Sequence, residues 1–143
     1  MSVADLAAVD AALVAVLSAD ATLQGLCPDG VYRDTAPAGS SRYVIVSLIT
    51  HVTEEGFGAA LYERFVYAVK AVLPATTGVD ANAAALRIHG LLYRTILAPI
   101  AGYTHMATLR LEPIRYMDGD AIDDDLRYQH AGAQYEISVS PNP

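Results

Sequence analysis

The stretch that most constrains this chain is Asp80 to Leu97, the one long helical pattern in its second half, set between two pairs of strand-like runs. Ile88, Leu92 and Ile96 recur every fourth residue beside Leu91, and with Ala84 and Leu86 they predict an apolar stripe on a helix of about four to five turns. Such a stripe must be covered. The strand-like runs flanking it are the large apolar surfaces available, so helix and strands are expected to share one core.

The strongest β signal is Tyr43-Val44-Ile45-Val46-Ser47-Leu48-Ile49, running on to Thr53 and apolar on both faces at its start, as a central strand would be. A soft link, Glu54 to Ala60, contains Gly56 and Gly58; a second strand follows from Leu61 to Val72, with Pro74 as its stop. The two read as a hairpin. After the helix, Tyr103 to Glu112 places Ala107, Leu109 and Leu111 on one face, and Pro113 either ends that strand or puts it at an edge. Leu126 to Val139 closes the chain as a last strand.

At the start, Ser2 and Asp5 form a capping-box pattern for a helix opening at Val3, whose stripe is Leu6, Val9, Leu13, Val16 and Leu17. Asp20 caps a second short helix, Ala21 to Leu26, ended by Gly25, Pro28 and Gly30, and Val31-Tyr32-Arg33 suits a brief strand. The expectation is a single α+β domain over residues 1–143: a four-stranded sheet of two hairpins, packed on one face by an N-terminal helix and a central helix.

With 143 residues the chain can close one core without disulfides or metals. No apolar run approaches the ~18 residues of a membrane span. The opening Met1-Ser2-Val3-Ala4-Asp5 lacks the basic residues of a secretory signal, and a lone Cys27 fits a reducing compartment, so synthesis in the cytoplasm is expected. A net charge of −7 repels phosphate backbones, which disfavours duplex binding and suits a surface that DNA passes without sticking.

The acidic run Asp118, Asp120, Asp123, Asp124 and Asp125 gathers oxygen ligands, but it lies between strands and lacks the EF-hand spacing, so it reads as a solvated turn or partner-facing loop. His51, His89, His105 and His130 are scattered over four elements without a zinc spacing. Cys27 has no nucleophile context, and there is no G-x-S-x-G, P-loop or G-x-G-x-x-G. No enzyme, cofactor or metal is expected. Tyrosine is the one unusual abundance, nine against two Phe and no Trp. Tyr62, Tyr67, Tyr93, Tyr116, Tyr128 and Tyr135 are candidates for a subunit contact, since Tyr is enriched at interfaces.

Taken whole, the sequence resembles the phage tail terminator or tail-completion family. The resemblance rests on the Ala-rich opening helix, the run Leu13 to Leu23, the Gly30-Val31-Tyr32 step, the loop containing Pro37, Arg42-Tyr43-Val44-Ile45-Val46, the strand ending near Arg64–Val72, the Asp80–Leu97 helix, Tyr103–Glu112, and the final strand with Tyr128 and Tyr135-Glu136-Ile137. It implies a virion protein, made in the host cytoplasm, that forms a ring, typically hexameric, at the head-proximal end of a tail tube. There it ends tube polymerisation and presents a docking surface to the head connector. Its partners would be its own copies, the tail tube protein and a neck protein, with DNA passing through the lumen unbound. The resemblance also implies that the loop between the two central strands, Thr53 to Ala60 here and shorter than in other versions, reaches toward the tube. Glu54, Glu55 and Phe57 in that loop, and Asp118, Asp120, Asp123, Asp124 and Asp125, are therefore the partner-binding candidates, on opposite axial faces or at the lumen. Two rival readings stand beside it: a head-completion or neck adaptor, and a small-molecule-binding α+β dimer with His51, Arg64 and Tyr128 converging on the sheet's open face.

Overall fold

The computed structural model describes residues 6–75, 78–97, 99–119 and 127–142. The Ser2 cap, the Val3 start and Asp120, Asp123, Asp124 and Asp125 lie outside the described residues. The elements are helices α1 (Leu6–Ser18), α2 (Ala21–Leu26) and α3 (Gly78–Leu92), and strands β1 (Val31–Arg33), β2 (Tyr43–Gly56), β3 (Ala59–Pro74), β4 (Tyr103–Gly119) and β5 (Arg127–Pro141). They form a mixed α+β fold around one sheet of order β1-β2-β3-β5-β4. The sheet therefore has five strands rather than the expected four. The added strand is the three-residue Val31–Arg33, which pairs in parallel with Val44–Val46. The Asp29 carboxylate makes this turn-back possible by accepting the Ser41 and Arg42 backbone N–H groups at 2.8 and 2.9 Å, which clasps the connecting loop.

The core lies between one sheet face and the helices. On β3 the odd-numbered residues Phe65, Tyr67, Val69, Ala71 and Leu73 are all fully buried, and on β5 Ala131, Ala133, Tyr135, Ile137 and Val139 are buried with them. α3 packs over β3 and β5, α1 over β1 and β2, and α2 touches both helices. α1 buries Ala8, Val9, Ala12, Leu13 and Leu17, its predicted stripe shifted toward the alanines, which let the helix approach the sheet closely. Each fully buried large side chain contributes about 1.5–3 kcal/mol, so β3 alone anchors a large share of the fold.

The boundaries depart from expectation where a local stop was read too literally. α3 ends at Leu92, five residues before the predicted Leu97, because Arg94 adopts a left-handed conformation (φ +58) and donates its N–H to Thr108 O instead of continuing the helix. Its buried stripe is Ala81, Ala84, Ile88 and Leu92, whereas Leu86 and Ile96, predicted in the stripe, are 65% and 75% exposed. Pro113 does not end β4; the strand lies at the sheet edge and steps over it at an irregularity between Arg110 and Pro113. The Asp20 cap is formed as expected, with Leu23 N–H donating to its carboxylate at 2.9 Å.

Candidate partner-binding surfaces

Glu54, Glu55 and Phe57 lie at one end of the sheet, and Asp118, the one described residue of the acidic group, lies at the other. β3 pairs with β5 only from Glu63 to Pro74, so beyond Glu63 the β2–β3 hairpin continues as a two-stranded arm of about 13 Å. Gly58, at φ +78, turns the chain at its tip beside Phe57, whose ring is wholly exposed. Glu55 is exposed on the arm, and Glu54 is not free: it accepts from Arg64 Nη2 at 2.5 Å, while Arg64 Nη1 donates to Glu136 at 3.1 Å. At the other end, Asp118 near the close of β4 receives His130 Nε2 at 2.8 Å, and the His130 ring stacks on Tyr116 at 4.3 Å.

The tyrosines divide. Tyr67 and Tyr135, predicted at a subunit contact, are core residues instead, because their positions alternate onto the helix-covered face. Tyr67 O–H donates to Asp10, and burial with that bond pushes its pKa up. Burial pushes Tyr135 up to about 12, its hydroxyl lying 3.2 Å from His89 Nδ1. Tyr93 and Tyr116 are exposed, and Tyr62 and Tyr128 are half-buried.

His51, Arg64 and Tyr128 do not converge. His51 stacks on Phe65 beneath the helices, Arg64 points from the opposite face, and Tyr128 pairs with Pro74, ten residues along β3 from Arg64. The pocket that a small-molecule dimer would need there is not formed. The four histidines likewise occupy separate contacts, His105 accepting Leu97 N–H at Nδ1 and facing Thr108 Oγ1 at 2.7 Å. Among the described residues no group of three His, Cys, Asp or Glu converges as metal ligands would. Cys27 is buried, and burial pushes its thiol up to about 11, far from a reactive thiolate. No helix is long and apolar enough to cross a membrane.

Sequence reading missed a third surface. Between α3 and the outer strands runs a groove of about 160 Å³, with Ala81, Ala85 and Leu86 on the helix wall and Pro113 and Ile114 on the strand wall. Arg110 and Arg115 line it from β4. The one available signal was the pair of arginines at strand positions that turn toward the helix face, where a packed residue was due. Apart from the groove, β4 leaves Met106, Leu109, Leu111, Tyr116 and Met117 between 43% and 56% exposed.

No protein-family model and no curated protein matches the chain. Solved structures do. One is a chain of the virion of a native gene transfer agent (GTA) particle, 24% identical, with a TM-score of 0.67 over 97% of this chain and 99% of that one. The two share a fold from end to end. A second solved chain, 15% identical, aligns over 97% of this chain and 98% of its own length with a TM-score of 0.61.

Proposed function

We propose that this protein is a virion component that works by shape and self-association: a tail-completion protein that closes as a ring, typically hexameric, on the head-proximal end of a phage-type tail tube. The observation that carries the reading is the end-to-end likeness to a chain of a gene transfer agent virion. The surfaces support it. An arm tipped with an exposed Phe57 suits insertion into a partner, and the exposed apolar strand β4 suits a lateral neighbour. In this reading the arm, with Glu54, Glu55 and Phe57, faces the tube, the sheet's other end faces the neck, and the ring performs no bond-making. Six copies at −7 each carry about −42, which discourages DNA from adhering to the lumen.

The test is electron microscopy of tail tubes with and without the purified protein, combined with light scattering. A density capping one tube end, and a mass near six times 15.2 kDa, are the expected results. Tubes that stay uncapped while the protein co-purifies with the portal would move it to the neck-adaptor reading. Reversing Glu54 and Glu55 to Lys is expected to abolish joining of heads and tails while leaving circular dichroism unchanged; normal particle yield would remove the arm from the contact.

A further inference from the structure

The β2–β3 arm faces a difficulty that the rest of the sheet does not. Beyond Glu63 its two strands have only each other among the described residues, and an isolated two-stranded ribbon is marginal in water. Two register breaks on β2, at Leu48/Thr50 and Glu54/Glu55, bracket the root of the arm, and such breaks bend and twist a strand pair locally. Held by its ladder alone, the arm would sweep a range of directions. A probe that must meet a partner needs one.

The root is pinned on both faces. On the face away from the helices, Arg64 donates through Nη2 to Glu54 and through Nη1 to Glu136 at 3.1 Å. Arg64 lies opposite Val52 on β2 and Ser138 on β5, so Glu54 is two residues outward along one neighbour and Glu136 two residues inward along the other. The guanidinium therefore crosses the line where β5 leaves off, and ties the free arm to the supported sheet through three strands. A planar fork with several donors can hold two carboxylates set diagonally in this way, whereas the point charge of a lysine holds one. On the core face, Glu63 is 4% exposed and accepts Thr53 Oγ1 at 3.1 Å, and the His51 ring stacks on Phe65 at 4.5 Å.

We propose that Arg64 is the positioning residue of the arm: with Glu54 and Glu136 it sets the direction in which Phe57 is presented. Glu54 is then an internal anchor, which leaves Glu55 and Phe57 as the residues that touch the tube. The proposal rests on the reading of the arm as a tube contact. Because the bridge is partly exposed, and exposed ion pairs add little to global stability, its effect falls on the arm and not on the fold.

The test is amide hydrogen exchange on the full chain, read beside electron microscopy of tail tubes. Arg64→Met and, on a strand outside the arm, Glu136→Gln are expected to speed exchange from Glu55 to Tyr62 by about threefold or more. Exchange from Phe65 to Leu73 and the melting temperature stay as in wild type. Arg64→Met then leaves tubes uncapped although Glu55 and Phe57 are intact, and Arg64→Lys, which keeps one of the two contacts, recovers part of both readouts. Phe57→Ala gives the opposite split, wild-type protection of the arm with capping lost. Arm exchange as in wild type in both Arg64→Met and Glu136→Gln overturns the proposal. So does an acceleration that spreads evenly into Phe65 to Leu73, which would make the bridge a support of the whole fold, and so does wild-type capping by Arg64→Met. A wild-type chain that caps no tube removes the tube reading instead, and the exchange comparison still decides whether Arg64 holds the arm.

Discussion

Strands β3 and β4 have nearly the same length, 16 and 17 residues, and run parallel to each other on either side of β5, yet their burial could hardly differ more. β3 has strands on both sides and helices above, so every second residue from Phe65 to Leu73 is fully enclosed. β4 has one neighbour, and only Thr108 along it is buried. Apolar content does not explain the contrast, since β4 carries Met106, Leu109, Leu111, Ile114, Tyr116 and Met117. Position does. A long apolar edge is an aggregation hazard, and here Pro113 and two breaks in register, at His105/Ala107 and Arg110/Pro113, interrupt its hydrogen-bonding outline. The ladder is blunted while the side chains stay available, which is what a surface reserved for a defined neighbour requires.

The largest effect should come from breaking the seam that gives β3 its enclosure. A Cβ on Gly132 would stand 2.0 Å from the Val69 carbonyl oxygen and 2.6 Å from Lys70 Cα, backbone atoms that cannot rotate away. Gly132→Ala is therefore expected to cost about 4 kcal/mol or more, a fall in Tm of roughly 10 °C or more by circular dichroism. An unchanged melt would mean that the strands stand further apart than this seam requires. Phe65→Ala, on β3 itself, leaves a cavity in the core and should cost about 3–5 kcal/mol in a denaturant titration.

A smaller, pH-dependent loss should follow from the histidines tucked around these strands. Burial holds His89, His105 and His130 below the ordinary value of 6.5; Arg110 adds to this for His89 and Lys70 for His130, while Asp118 opposes it at His130. Because the folded state resists protonation, this stability is complete above pH 6.5 and is lost as pH falls from there toward the lowered folded values. The slope difference between wild type and His130→Gln isolates one ring from the charge of the whole chain; identical slopes would show that His130 titrates as in water. Asp20 adds a second phase. Its hydrogen bond from Arg87 holds its pKa at about 2, so its share persists above 3.8 and goes only as pH falls toward 2.

Most of the architecture was legible because it rests on period and punctuation. The alternation of β3 and β5, the Asp20 cap and the Gly-rich hairpin each specify their element locally. What failed depends on distant partners. Nothing in Leu92-Tyr93-Arg94-Thr95 marks a helix end; the stop is the bond from Arg94 N–H to Thr108, fourteen residues on in another strand, so Ile96 falls outside the helix whose stripe it was expected to extend, while Leu86 lies within α3 on its exposed side. Val31–Arg33 reads as a brief strand, as it is, but its place as a fifth strand of the sheet comes from its parallel pairing with β2, which three residues do not announce. Tyr67 and Tyr135 looked like interface residues by type and are core residues by parity. The arm with Glu55 and Phe57 was readable as a loop between two strands, but the Arg110–Arg115 groove exists only once α3 lies beside β4.

The smallest effect on stability is also the one that speaks most directly to function. Leu109 is 47% exposed on β4, next to no covering element, so Leu109→Ser should change the unfolding free energy by about 0.5 kcal/mol or less. If β4 is exposed because its neighbour is another subunit, the same substitution removes apolar area from that contact and should weaken self-association measurably in sedimentation. The two readouts pull apart only in that case. A loss of fold stability comparable to that of Phe65→Ala would mean that β4 is covered within its own chain, and the contrast between the two strands would then say nothing about assembly.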